Sequence, residues 1–284
     1  MMDRSTVVAG VEVPRFFYGT AWKEEKTEHL TALALRQGFR AIDTANQRKH
    51  YHEVGVGRAV ASAIADGMIS RKALFLQSKF TYQRGQDHRL PYDPDAPLAD
   101  QVAQSFERSC QHLQTDYLDS FVLHGPSSKV GINDDDWAVW RAMEDIQTSG
   151  RARLLGVSNI ALDQLKVLCD GAAVAPRFVQ NRCYASTGWD YDMRAFCRQS
   201  DIIYQGFSLL TANQIHLKNP ALIDIRKRLR MSINQIIFAF ALARTMVPLT
   251  GTSNADHMKH DLAVFEHRLS EEDVLAVETL AKKP

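Results

Sequence analysis

Three ionisable side chains of different kinds close short apolar runs in this sequence: Asp43, Lys79 and His124. A carboxylate, an ammonium and an imidazole brought to one place form a coupled acid–base set. Plain packing does not explain such a set, because burying unpaired charge is costly and clustered titratable groups mark clefts that do chemistry. Other apolar runs end on uncharged polar residues: Gly19-Thr20, Ser158-Asn159, Gln180-Asn181, Phe207-Ser208 and Thr250-Gly251-Thr252-Ser253. Taken singly, each has a structural explanation, since a Ser-Asn pair is a common turn or helix cap. It is their convergence that asks for a function.

The elements that must position them alternate along the chain. Strands are expected over 15–20, 40–44, 74–79, 118–124, 154–159, 178–183, 202–208 and 246–250. Helices are expected over 23–37, 56–66, 98–114, 137–149, 162–170, 192–199, 232–245 and 255–263, with a last one over 271–281. Gln101, Val102, Phe106, Cys110 and Leu113 have the spacing of a helical stripe facing a core. Phe121-Val122-Leu123 reads as a strand buried on both faces, as parallel sheets require. Eight strands alternating with helices predict an α/β fold, a (β/α)8 TIM barrel, over an open doubly wound sheet. No Gly-x-Gly-x-x-Gly turn follows the first strand, which argues against a Rossmann domain. The segment 7–13, with Ala9-Gly10 at its centre, predicts a short N-terminal β-hairpin under the barrel. A Pro- and Asp-rich stretch at 87–97 reads as a loop, so one domain is expected over 1–284. In such a barrel the strand ends share one mouth, and chemistry gathers there.

Composition narrows the partners. The 284 residues carry 34 Lys+Arg against 33 Asp+Glu, a net charge of +1. This balance gives no electrostatic footprint for nucleic acid or an anionic membrane. The first fourteen residues lack a signal-peptide layout, and no apolar run is long enough to span a bilayer. Cys110, Cys169, Cys183 and Cys197 are scattered without a CxxC pair, as in a reduced, cytoplasmic protein. The expected partner is a small molecule, and the expected state a monomer or weak homo-oligomer.

Gly38-Phe39-Arg40-Ala41-Ile42-Asp43-Thr44-Ala45, Leu74-Phe75-Leu76-Gln77-Ser78-Lys79, Asp116-Tyr117-Leu118-Asp119-Ser120-Phe121-Val122-Leu123-His124 and Gly150-Arg151-Ala152-Arg153-Leu154-Leu155-Gly156-Val157-Ser158-Asn159 together resemble the aldo-keto reductase family. They occur in the family's order and cover essentially the whole chain. The resemblance implies hydride transfer from NADP(H) to a carbonyl carbon while a tyrosine protonates the oxygen. A tyrosine titrating near 10 is a weak acid, and bringing it to about 7 takes roughly 4 kcal/mol of phenolate stabilisation. Lys79, held by Asp43, is expected to supply that charge, and His124 to orient the carbonyl. A gap-free count from the Asp-Thr-Ala puts Arg48 at the tyrosine's place, with Tyr51 three residues on. A small loop insertion that leaves Tyr51 as general acid is the preferred reading, and Arg48 in its place is the rival.

The same resemblance assigns cofactor contacts to Gly19, Thr20, Asp43, Ser158, Asn159, Gln180, Phe207, Ser208, Leu210, Gly251, Thr252, Ser253, His257 and Asp261. Phe207 stands where the family places an aromatic on the nicotinamide ring, and Asp261 where an adenine contact is expected. Gly251 and His257 occupy positions where NADPH-selective members carry Lys and Arg, so NAD(H) is the alternative cofactor. Trp22, Phe80 and Gly125 are expected around the substrate, with Tyr82 and Trp189 as further apolar walls. Gly125, and a sequence ending soon after its last helix, imply an open pocket.

Two other classes compete. His50-Tyr51-His52 has the spacing of a metal-binding pair, and Asp134-Asp135-Asp136 offers carboxylates, as a metallohydrolase would need. That pair follows the second strand and finds no clear set of strand-end ligands; the triple Asp reads better as a solvated loop and helix cap before Trp137. No metal is therefore expected. The stronger rival is a nucleotide-binding regulatory protein on the same fold that does not turn over substrate.

Overall fold

The computed structural model describes residues 2–281; Met1 and residues 282–284, the ends of the expected domain, lie outside them. Strands β1 (Ser5–Val8) and β2 (Val11–Pro14) pair antiparallel through the turn at Ala9 and Gly10. Both turn residues have positive φ, 46° and 76°, the backbone of a tight two-residue hairpin turn matched to strand twist. The next eight strands are β3 (Phe17–Gly19), β4 (Ala41–Asp43), β5 (Phe75–Phe80), β6 (Leu118–Leu123), β7 (Ala152–Ser158), β8 (Phe178–Arg182), β9 (Ile203–Phe207) and β10 (Val247–Thr250). They pair in parallel and in chain order, and β10 returns to β3 to close the barrel.

Helices α1 (Thr27–Gln37), α2 (Glu53–Ala65), α3 (Leu98–Leu113), α4 (Asp134–Thr148), α5 (Leu162–Gly171) and α6 (Tyr191–Gln199) each follow one strand. After β9 come α7 (Pro220–Leu229) and α8 (Ile233–Ala243), and after β10 come α9 (Ala255–Leu262) and α10 (Glu271–Glu278). The barrel, the hairpin and the helix order match the sequence expectation, with ends trimmed by one to three residues at most strands. The exception is α7, for which no helix was expected. Its signals are present: Asn219 caps the Ala221 N–H, Pro220 sits at the first helical position, and Leu222 and Ile225 face inward. The triple Asp also moves. Asn133 caps α4 and the three aspartates form its first turn, with Asp136 completing a capping box.

Strand alternation stacks the barrel interior in layers. Val8, Val11 and Val13 of the hairpin plug the bottom against Phe17, Phe75 and Phe178, whose rings meet at 5.4–6.5 Å. Two residues beyond Phe75, Phe178 and Ala41 the filling turns polar, with Gln77, Gln180 and Asp43. The outer faces of the strands pack on the helices, and all of β6 is buried, as a two-sided parallel strand must be. The four cysteines are free thiols, and among the described residues no helix is long and apolar enough to cross a membrane.

Candidate active site

The two-residue period of β5 decides what reaches the mouth. Phe75, Gln77 and Lys79 point into the barrel, while Leu76, Ser78 and Phe80 point out. Lys79 donates from Nζ to Asp43 Oδ1 at 2.6 Å and to the Thr44 carbonyl at 2.8 Å, with no exposed surface of its own. Burial pulls its pKa down, and the Asp43 carboxylate opposes that shift. Phe80 is a correction to the expected pocket wall: one residue past Lys79, it is fully buried on the outer face against Tyr82 and Tyr92. Tyr82 donates to Asp136 at 2.8 Å. Trp189 is likewise core, fully buried with its indole N–H on the Val277 carbonyl and its ring on Phe240.

The loop after β4 carries the tyrosine back to the barrel axis. His50 and Tyr51 both donate backbone N–H to the Gln47 carbonyl, closing a helical turn ahead of α2. Arg48 is turned away and pairs with Glu25 at 3.1 Å. Tyr51 packs edge-on against His124, ring centres 5.9 Å apart, and the Lys79 ammonium stands 5.2 Å from the centre of its ring. Burial raises the Tyr51 pKa, and the Asp43 carboxylate raises it further. The phenol is therefore protonated at neutral pH, the form that can give up a proton.

His124 ends β6 with Nδ1 2.7 Å from Thr81 Oγ1. Burial, then the Lys79 charge, then His50 hold its pKa down to about 3, so the imidazole is neutral. His50 also stands at this mouth, near enough for its charge to bear on His124. Its ring stacks 3.9 Å from that of Trp22, and its Nδ1 lies 2.8 Å from Gln47 Oε1. Trp22 is 71% exposed with φ 61°, and its N–H donates to the His50 carbonyl. His52 faces the Glu24 carbonyl at 3.3 Å, so the two histidines of the His-x-His diverge. Among the described residues no group of His, Cys, Asp or Glu is arranged to hold a metal ion.

Across the mouth, Ser158 donates to the Gln180 carbonyl at 2.6 Å, and Asn159 Nδ2 donates to the His124 carbonyl at 2.8 Å. Asn159 and Ser208, directly after β7 and β9, both have positive φ, 51° and 57°, strain that non-glycine residues carry mostly at functional sites. Gly125 lies against the first of these: a Cβ there would meet Asn159 and the Ser158 carbonyl at 3.5 Å. Phe207 points inward like Gln205, half-buried beside the Arg182 guanidinium.

The Aldo/keto reductase family profile matches residues 16–282 of this architecture. The chain belongs to the aldo/keto reductase family. With that family it is an oxidoreductase. Among curated relatives, the sequence is 28% identical to the uncharacterized oxidoreductase YtbE of Bacillus subtilis, across 99% of this chain and 93% of that one. It is 29% identical to the glyoxal reductase of the same organism, covering 96% and 91%. It is 27% identical to prostaglandin F synthase 1 of Bos taurus, covering 94% and 88%. Solved structures share the fold: an aldo/keto reductase from Brucella melitensis superposes with a TM-score of 0.84 at 24% identity over 99% of both chains. A Bombyx mori aldo-keto reductase in complex with NADP gives 0.83 at 22%, covering 99% and 93%.

The groups left open at the mouth fit a nicotinamide. Gln180 Oε1 and Asp43 Oδ2 have no protein partner, yet neither is among the buried unpaired atoms, so both reach solvent. These acceptors suit the N–H groups of a primary amide and the hydroxyls of a ribose. One member of the family-implied set is closed off. Thr20 is fully buried with its hydroxyl on the Asp43 carbonyl at 2.9 Å. Asp261 is 3% exposed and accepts from Thr250 Oγ1 at 2.8 Å through Oδ2, which leaves its other oxygen without a protein partner. At the far end of the mouth, Asn254 caps α9 through the Asp256 and His257 N–H groups, and His257 Nδ1 lies 3.5 Å from Thr252 Oγ1. Gly251 stays open beside Ser253, and Leu210 precedes a short helical turn at Thr211–Asn213. Sequence reasoning missed Lys23, whose ammonium donates to the Gly251 carbonyl at 2.6 Å and titrates lower, at about 8, through burial. Position after a strand end is the signal that would have found it.

Proposed function

We propose that this chain reduces an aldehyde or ketone to an alcohol, with Tyr51 as the general acid. The reduced nicotinamide of NADPH, when bound, supplies the hydride. Tyr51 gives its proton to the carbonyl oxygen, and the Lys79 ammonium, held 2.6 Å from Asp43, stabilises the phenolate left behind. Neutral His124, with Nδ1 engaged by Thr81, orients the carbonyl oxygen. Ser158, Asn159 and Gln180 hold the carboxamide, Phe207 lies along the ring, and the segment 251–257 receives the adenosine ribose. NADP(H) is the proposed cofactor and NAD(H) the alternative, because Gly251 and His257 bring no permanent cation to that ribose.

The observation that carries the reading is the meeting of Tyr51 with both His124 and Lys79, within 5.9 Å and 5.2 Å, while Arg48 pairs outward with Glu25. The test follows carbonyl-dependent oxidation of NADPH and NADH, starting with small dicarbonyls because of the relative named glyoxal reductase. Tyr51→Phe is expected to lose at least about 100-fold in kcat/KM, the usual share of a positioned proton donor, and Arg48→Ala to lose less than about threefold. A Tyr51→Phe enzyme with normal turnover, or a wild type that binds the cofactor and oxidises none with any carbonyl, overturns it.

A further inference from the structure

The usual filling of a (β/α)8 barrel is layers of branched aliphatic side chains. Around Asp43 this barrel holds three amides instead, Gln77, Gln180 and Gln205, each 3% exposed or less. Strand register brings them together: Gln77 lies opposite Asp43 on the neighbouring strand, and Gln205 opposite Gln180. Gln77 Nε2 donates to Asp43 Oδ1 at 2.7 Å and to Gln205 Oε1 at 2.9 Å. Gln180 Nε2 donates to the same two oxygens, each at 3.0 Å. Gln205 Nε2 closes the set by donating to Gln77 Oε1 at 3.2 Å.

One carboxylate sets the direction of all three amides. An ionised Asp43 can only accept, so the ends of Gln77 and Gln180 that face it must be nitrogens. Both nitrogens also face one atom of Gln205, which must then be its oxygen, and its nitrogen is left to meet Gln77 Oε1. Both N–H groups of Gln180 are thereby used. Its oxygen is the end left over, and it is the end that reaches solvent. Turning the Gln180 amide over would set oxygen against the Asp43 carboxylate and against Gln205 Oε1 at once, two repulsive contacts in a buried site.

We propose that Gln77 and Gln205 are positioning residues that lock the Gln180 amide with its oxygen toward the mouth, so that the site selects a nicotinamide ring substituent able to donate an N–H over one that only accepts. The inference rests on the nicotinamide reading given above. Asn159 acts in the same sense: its Nδ2 is fixed on the His124 carbonyl at 2.8 Å and Ser158 Oγ at 3.1 Å, so its oxygen is also the open end.

The test is equilibrium binding, followed by tryptophan fluorescence, of NADP+ and its 3-acetylpyridine analogue, which keeps the ring carbonyl and lacks the amide N–H groups. Wild type is expected to prefer NADP+ by about tenfold, one well-made hydrogen bond. In Gln77→Met/Gln205→Met the Gln180 amide is free to rotate, and the preference is expected to fall within about threefold. Adenosine 2′,5′-bisphosphate, which has no nicotinamide, should bind the variant within about twofold of wild type, because a loss confined to the nicotinamide end leaves adenosine contacts intact. If the double variant does not melt cooperatively, Gln77→Met, which removes one brace, decides by the same criterion. An unchanged preference in a folded variant, or equal weakening of the bisphosphate, overturns the proposal. A wild type that binds neither NADP+ nor NAD+ refutes the underlying reading instead.

Discussion

The Lys79 ammonium and the Asp43 carboxylate meet at 2.6 Å with 0% and 4% of their side chains exposed, and their other partners are unequal. Beyond Lys79, Asp43 Oδ1 accepts from Gln77 and Gln180, whereas beyond Asp43, Lys79 has only the Thr44 carbonyl. Removing the carboxylate therefore strands a buried cation and two amide donors, and removing the ammonium strands much less. Asp43→Ala, which removes the acceptor together with the charge, is expected to destabilise by about 3–5 kcal/mol, the cost of breaking a buried pair from one side. Lys79→Met is expected to cost about 1–3 kcal/mol, and the double variant less than the sum. Denaturant unfolding of the three variants checks the order; Lys79→Met as the worst of them would contradict it.

His124 gives stability a pH dependence of definite sign. Its folded pKa is about 3, against 6.5 in an unfolded chain. Between those values the unfolded state binds the extra proton, so stability rises with pH across the window and is lost as pH falls from 6.5. At pH 5 the loss from this residue is expected at about 1–2 kcal/mol relative to pH 7. His124→Asn, which keeps a hydrogen-bonding group near Thr81, should flatten that part of the curve. Because the imidazole is neutral throughout, no histidine-like inflection from His124 is expected in kcat/KM between about pH 5 and 8.

The barrel was legible because its two periods are written plainly: short apolar runs for strands buried on both faces, and stripes such as Val102, Phe106 and Leu113 for helices on its outside. The strand-end residues Asp43, Lys79 and His124 followed from that layout. Tyr51 does not follow from the layout alone, because a gap-free count from Asp43 leads to Arg48 and only a small loop insertion leads to Tyr51. Phe80 was misplaced because proximity in sequence to Lys79 outweighed the parity of the strand. Thr20 and Asp261 were assigned by position, and position does not reveal that a side chain is already engaged by Asp43 or Thr250. Gln77 and Gln205 were passed over because a glutamine within an apolar run reads as noise until cross-barrel neighbours make it part of a layer.

Asp261 should act on stability in the opposite sense to His124. Burial raises its pKa from 3.8 to about 6, against the hydrogen bond from Thr250 and the His257 charge. Between those values the folded state holds the extra proton, so stability falls as pH rises through the window and the deficit is complete above about 6. Asp261→Asn keeps an acceptor for Thr250 and removes the buried charge. It is expected to gain about 1–2 kcal/mol at pH 7.5 and close to nothing at pH 4. Thermal melts of the two proteins at those pH values measure the difference, and an equal effect at both would exclude charge burial as its cause.

Trp22 separates backbone strain from side-chain contact. Its φ of 61° lies in the left-handed region, which costs a bulky residue roughly 1–2 kcal/mol. At 71% exposure the indole recovers little by burial, and its main contact is the stack on His50 with ring centres 3.9 Å apart, worth about 0.5–1.5 kcal/mol. Trp22→Ala loses the stack and keeps the strain, so it should destabilise by about 1 kcal/mol. Trp22→Gly loses the stack and the strain together, and should be as stable as wild type within about 0.5 kcal/mol. Denaturant unfolding of both variants tests this. If the glycine variant is the less stable, the turn is held by contacts beyond His50 and the strain assigned to Trp22 is too large.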